Sequence, residues 1–327
     1  MSSASISYRL CIISLLMCTV ILGAVCASGI ANEPQATSGA QQDKKKGATP
    51  VDKGQDNKPR PPGGKDASEK AKGQEAAPTI KYTVAEAIVE YALLAYGGRT
   101  MLNQVRANTE EDGTIRLATD QGDAAGSYKI RATRKEKSWQ DLIRTDLEVT
   151  PPEPPGRTGT ARPIKYVIAF NGGSVWSAQS GQYVTPRPEV ETAFKAQLTH
   201  DYTTLLRFRE DGSKVDLVGP ETVAGIDTKI VELTTPAGEK TKFWISSKTF
   251  RILHSEYELN LFPDQKPVKF RISFYYTPPK IFQNTLCPTR RVMIQDGKFA
   301  QEITINTAVY SAKHDPEIYQ HLQADQQ

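Results

Sequence analysis

Residues 215–256 read VDLVGPETVAGIDTKIVELTTPAGEKTKFWISSKTFRILHSE, and their spacing decides the fold class. Lys229, Val231 and Leu233 alternate with Ile230 and Glu232, and Phe243 and Ile245 alternate with Lys242, Trp244 and Ser246. A period of two, apolar on one side and polar on the other, is what a half-buried strand requires. Pro236-Ala237-Gly238 and Ser246-Ser247-Lys248 break the run, the second leading into another strand at 251–257. Links this short join antiparallel neighbours, because a parallel return needs a long crossover. The stretch holds no catalytic set of residues.

The same period extends on both sides. Tyr128, Ile130 and Ala132 alternate with Lys129, Arg131 and Thr133; Tyr166, Ile168 and Phe170 follow, closed by Asn171-Gly172-Gly173. Val268, Phe270, Ile272, Phe274 and Tyr276 form the cleanest alternation, and Ile303, Ile305, Thr307 and Val309 repeat it after an Asp296-Gly297 turn. Helical spacing interrupts this pattern twice. Thr83-Val84-Ala85-Glu86 is a capping box, and Val84, Ile88, Tyr91 and Ala95 trace one face of a helix ending at Gly97-Gly98, with a short helix over 99–105 after it. Residues 188–209 read as helical, with Val190, Phe194 and Leu198 on one face and Leu205, Leu206 and Phe208 in a second piece. Between them, TPPEPPGRTGTARP at 150–163 is too rich in Pro and Gly for a central strand and reads as a mobile loop.

The chain has 327 residues, but after Tyr8 no Phe, Trp or Tyr occurs until Tyr82, so the core belongs to one domain over residues 80–323. Residues 28–79, rich in Lys, Gly, Pro and Gln, read as a disordered tether of roughly 40 Å root-mean-square span, and 324–327 as a tail. Residues 1–27 carry Arg9 and the apolar run LCIISLLMCTVILGAV, the plan of a signal peptide cut after Ala27. The alternatives are retention as an N-terminal anchor, which would hold the domain at a membrane, and lipidation at Cys26, where Val25 occupies a position that a lipoprotein signal gives to a small residue. Either way the protein is expected to be exported.

Composition excludes several functions. A formal charge of +4 over 327 residues, with Asp43 beside Lys44-Lys45-Lys46, does not describe a nucleic-acid binder. No HExxH, CxxC, GxSxG, Walker or dinucleotide motif occurs, and His200, His254, His314 and His321 are too scattered for a metal site. Neither a metal nor a cofactor is therefore expected. Cys287, the one cysteine outside the leader, reads as a buried core thiol. The aromatics Trp176, Phe243, Phe270 and Phe274 either line a ligand cavity or fill a sheet-to-helix core.

The order of motifs adds a resemblance. Ala95-Tyr96-Gly97-Gly98 before a short helix and strand, Asn171-Gly172-Gly173 to Trp176, the helical segment 202–209, and VDLVGPETVAG with its FWI strand resemble the LolA/LolB-like superfamily of outer-membrane lipoprotein-sorting proteins. The resemblance implies an α+β, mainly antiparallel fold: a curved half-barrel sheet with helices packed as a lid over an apolar cavity. It implies a noncatalytic carrier or sensor of a lipid, a lipoprotein acyl chain or another hydrophobic ligand in the periplasm or cell envelope of a bacterium, in transient contact with membrane. The candidate cavity residues are Trp176, Phe194, Leu205, Leu206, Phe243, Ile245, Phe270, Ile272 and Phe274. A regulatory module of the RseB type, binding an envelope protein on the same fold, is the second reading; a hydrolase with dispersed carboxylates is the third. The chain departs from the pattern at Ser246-Ser247, where members often carry Asp, and no residue is matched to the arginine that holds the lid of LolA.

Overall fold

The computed structural model describes residues 83–105, 107–153 and 161–320. The expected leader, tether, tail and Cys26 lie outside the described residues, as does half of the Pro-rich loop, residues 154–160.

Two helices come first, α1 (Val84–Ala95) and α2 (Gly98–Val105). Six strands follow: β1 (Asn108–Thr119), β2 (Gly122–Thr133), β3 (Leu142–Thr150), β4 (Ile164–Phe170), β5 (Val175–Gln179) and β6 (Gln182–Val184). Next is the helical insertion, α3 (Pro188–His200), α4 (Tyr202–Leu206) and α5 (Phe208–Asp211). The quoted stretch forms β7 (Lys214–Val223), β8 (Ile226–Thr234), β9 (Lys240–Ser246) and β10 (Ile252–Leu259). After it come β11 (Val268–Tyr275), β12 (Lys280–Phe282), β13 (Thr285–Cys287), β14 (Arg290–Gln295) and β15 (Lys298–Tyr310). Thirteen strands make one antiparallel sheet in the order β6-β5-β4-β3-β2-β1-β15-β14-β11-β10-β9-β8-β7, and β12 and β13 form a separate hairpin.

That sheet is curved, and α3 shows why it must be. Val190 and Phe194 pack into a core with Ile115, Tyr128, Leu147 and Ile168 of β1–β4, whereas Ala196 packs with Tyr257 and Phe270 of β10 and β11. Strands β4 and β10 stand seven steps apart in the sheet order, roughly 34 Å in a flat sheet at about 4.8 Å per step. A helix about 10–12 Å across reaches both only if the sheet bends around it. The helices thus lie against the concave face of a half-barrel, the architecture implied by the motif order.

Two expected faces are corrected. On α1 the buried stripe is Ala85, Ile88, Val89, Ala92 and Leu93, while Val84 and Tyr91 are exposed. The small alanines let the helix lie close to the wall, against Val231, Phe243 and Ile245. On β15 the alternation does not persist to Val309: between Asp112 and Gly113 of β1 the register skips Asn306, so Ile305, Ala308 and Tyr310 are buried and Thr307 and Val309 turn outward. One extra residue in a strand reverses every side chain beyond it.

Candidate functional site

The site is built from the residues that α3 and α4 hold above the strands. Beneath them lies a cavity of about 180 Å³. Ile130 and Ala132 of β2, Ile143 of β3, Glu111 of β1 and Arg291 of β14 face it from the sheet, and Leu93, Leu102, Leu198, Tyr202 and Leu206 from the helices. A second space of about 530 Å³ opens on the other side of α3, against Trp139, Phe170, Lys195, Pro236 and Glu239.

The concave face carries a charge pair. Arg291 pairs with Glu111 through Nη2 and Oε1, and Tyr128 donates its hydroxyl to the same carboxylate oxygen at 2.9 Å. Burial is the largest influence and works against the arginine cation, but Glu111, Tyr128, Asp201 and Tyr202 together outweigh it, so Arg291 sits above the ordinary arginine range. Burial, helped by Glu111, raises the Tyr128 phenol as well. Such a pair contributes little net stability, because desolvation consumes most of its Coulomb attraction. It does place fixed polarity at the floor of a chamber whose walls mix the apolar side chains named above with further charged groups, Arg134, Asp141, Asp201 and Arg207.

A second buried arginine fastens the roof. Arg207, between α4 and α5, donates to Asp141 at 2.5 Å and to the carbonyl of Lys135 at 2.6 Å. Asp141 also accepts from the backbone N–H of Lys135 at 2.7 Å, and burial still pushes its carboxyl up to about 6. Asp211 accepts from the Ser138 N–H at 2.8 Å, and Lys137 reaches the carbonyl of Glu210. Apart from the Lys135–Asp141 bond, which is internal to it, these ties run from the helices to the β2–β3 connection. On the opposite side α5 joins α1 and α2 through Arg209 to Glu86 and Glu90, and through Arg99 to Glu90 and Glu210. The far end of α3 is seated by His200, whose Nδ1 lies 2.7 Å from the Thr241 hydroxyl and whose ring stacks on Tyr257 at 4.0 Å. Burial lowers its pKa to about 4. The helices are therefore closed over the sheet by side chains, with no backbone ladder to break.

Of the expected cavity residues, Leu206 faces the inner chamber. Leu205, Phe243, Ile245 and Phe274 come together instead in a packed core with α1, and Phe194 belongs to the core over β1–β5. Phe270 packs with Tyr257, and Ile272 lies between that cluster and the α1 core. Trp176 is on the other face of the sheet. It pairs with Ala169, which pairs with Arg144, and the indole N–H donates to the Tyr319 carbonyl at 2.8 Å.

Arg291, Glu111, Arg207 and Asp141 were not among those expectations. A signal for the first two exists in the sequence: Arg290-Arg291 and Glu110-Glu111 are like pairs inside strands, and adjacent strand residues point to opposite faces, so one of each pair must face inward. Glu111 and Asp141 are each held by an arginine, which gives both carboxylates a structural task. Among the described residues no cluster of His, Cys, Asp or Glu could hold a metal ion, and no helix is long and apolar enough to cross a membrane.

No family model and no curated protein matches the sequence. Among solved structures the chain is similar to a LolA superfamily protein from Nitrosomonas europaea, at 14% identity and TM-score 0.46, over 73% of this chain and 99% of that one. It is also similar to a DUF1329 family protein from Desulfovibrio piger, at 12% identity and TM-score 0.46, covering 72% and 97% of the two chains. An outer membrane lipoprotein-sorting protein domain from Vibrio parahaemolyticus matches at 12% identity and TM-score 0.45, covering 71% and 94%.

Proposed function

We propose that this protein is an exported, noncatalytic carrier or sensor that takes a hydrophobic ligand between helices α3–α5 and the concave face of the LolA-like sheet. The observation that carries this reading is a partly apolar chamber roofed by helices that are tied down only through side chains. At about 180 Å³ the chamber is close to the roughly 150 Å³ cavity that accepts a benzene ring and below the ~300–1,000 Å³ of ligand sites for larger molecules. A lipid chain thus needs the roof to lift. Each methylene removed from water then returns about 0.8 kcal/mol, enough over several carbons to offset the loss of a few side-chain ties.

Native mass spectrometry of protein extracted under mild conditions tests this. Co-purifying lipid, or uptake of a fluorescent fatty acid by delipidated protein, is the expected result; a chain that carries no lipid and takes up no probe would sink the reading. A second reading, an interaction module for an envelope protein, is favoured by the outer side of α1, where Val84, Tyr91 and Leu94 are exposed. Its signature would be a stable protein partner recovered from crosslinked envelopes with no lipid bound.

A further inference from the structure

The inner chamber and the outer groove, on opposite sides of α3, share one lining residue, Leu198. It lies two residues before His200, which is fixed to Thr241 and Tyr257, and one turn after Phe194, which is buried in the β1–β5 core. The helix is thus held on both sides of this position, while Leu198 itself is only half-buried and kept in place by packing alone. A leucine side chain can change rotamer without breaking a hydrogen bond, so it is the cheapest part of the partition to move.

We infer that chamber and groove are two ends of one binding passage, and that Leu198 is the specificity-determining residue setting how long a chain the passage admits. The inference rests on the carrier reading above. Its shape selects the occupant: where two spaces meet at a single side chain, a straight acyl chain can pass and a fused ring system or paired chains cannot. The groove selects the head group. Its charged lining residues are one cation, Lys195, whose Nζ also donates to Glu191 at 2.6 Å on the same helix, and one anion, Glu239, beside the apolar surfaces of Trp139, Phe170 and Pro236. A zwitterionic, single-chain amphiphile of the lysophospholipid kind matches that pattern. Its head would remain in the groove, the first part of its tail would cover Trp139 and Phe170, and the tip would pass Leu198 into the chamber.

The test is a titration of the full chain with octanoyl- and palmitoyl-lysophosphatidylcholine, both below their micelle concentrations, followed by calorimetry. The octanoyl tail ends within the groove and the palmitoyl tail reaches past Leu198. Leu198→Ala is expected to raise the palmitoyl-to-octanoyl affinity ratio about tenfold, since each further methylene buried is worth roughly fourfold. Leu198→Trp is expected to lower that ratio by a similar factor. Trp139→Ala, at a partly exposed side chain whose loss leaves the core intact, should weaken both probes severalfold and is the arm that remains if a Leu198 variant fails to fold. A ratio unchanged by both Leu198 variants, or affinities unchanged by Trp139→Ala, overturns the passage while leaving the carrier reading standing. Wild-type protein that binds neither probe overturns the lysophospholipid assignment; the carrier reading falls with it only where co-purifying lipid and fatty-acid uptake are absent as well.

Discussion

At the scale of single residues, the buried ionisable groups decide how the protein responds to acid. His200 is 2% exposed, and burial holds its pKa near 4, below the ordinary histidine value of about 6.5. As pH falls below about 6.5 the unfolded chain takes up a proton that the folded chain refuses until about pH 4, so stability present at neutral pH is lost across that window. The full loss is roughly 3 kcal/mol for a shift of this size. His254, stacked on Trp244 and also lowered to about 4, acts in the same direction. Asp141 opposes them: its carboxyl is raised to about 6, so proton uptake favours the folded form as pH falls through that value. A single pH curve therefore mixes signs, and a variant is needed to separate them. His200→Phe keeps the stack on Tyr257 and removes the titration. Urea unfolding at about pH 7 and about pH 4 should show a smaller acid loss in the variant than in the wild type, by roughly 3 kcal/mol. Equal losses would mean that His200 is protonated in place. None of this was legible in the sequence, where His200 read only as one of four scattered histidines, because burial depends on which wall α3 packs against.

At the scale of elements, the strands were legible and their exact facing was not. Val231, Leu233, Phe243 and Ile245 are all fully buried on one face, as their alternation requires. The helix insertion appeared where its period changed. Alternation failed at β15, because a bulge is a mismatch between two strands and neither strand's own sequence records it. It failed for Trp176 because an outer face can also be covered, here by the segment Pro316–Tyr319. The candidate cavity residues went mostly to core for a related reason: apolar alternation marks burial, and burial against α1 looks the same as burial against a ligand. The bulge on β15 has a partner feature in β1 that can be tested. A Cβ built on Gly113 would lie 1.9 Å from the Thr304 carbonyl oxygen and 2.9 Å from the Tyr128 ring, with the first contact being backbone inside the ladder. Gly113→Ala must force β1 and β15 apart at the centre of the sheet. Its expected cost is about 3 kcal/mol or more, the upper end for overpacking, read from the urea midpoint. A variant within about 0.5 kcal/mol of wild type would show that the strands are not paired as described.

At the scale of the whole molecule, the fold divides into a sheet held by continuous backbone pairing and a set of helices held by side chains, and these should open at different free energies. Exchange of a backbone amide requires the local structure to open, so a region with few ties exchanges through smaller fluctuations than a ladder paired on both sides. Strands β1, β2 and β15 sit mid-sheet with neighbours on each side. Helices α4 and α5 depend on Arg207, Asp211 and the charge network around Glu90. Arg207→Met removes the central tie, conserves much of the side-chain volume, and leaves Asp141 buried without its cation, a change that costs about 3–5 kcal/mol for buried pairs. If α4 and α5 open as a unit, that cost falls on the closed state of the lid. Amides in residues 202–211 and in the 135–141 connection should then exchange at least tenfold faster, while those of β1, β2 and β15 keep their wild-type rates. Added ligand should return the lid amides toward wild-type protection, since a guest that bridges roof and floor restores by burial what the arginine supplied by charge. Acceleration spread evenly over the central strands would mean that the helices and the sheet open together, and a carrier built on this fold would then have to admit its ligand by some route other than a lifting roof.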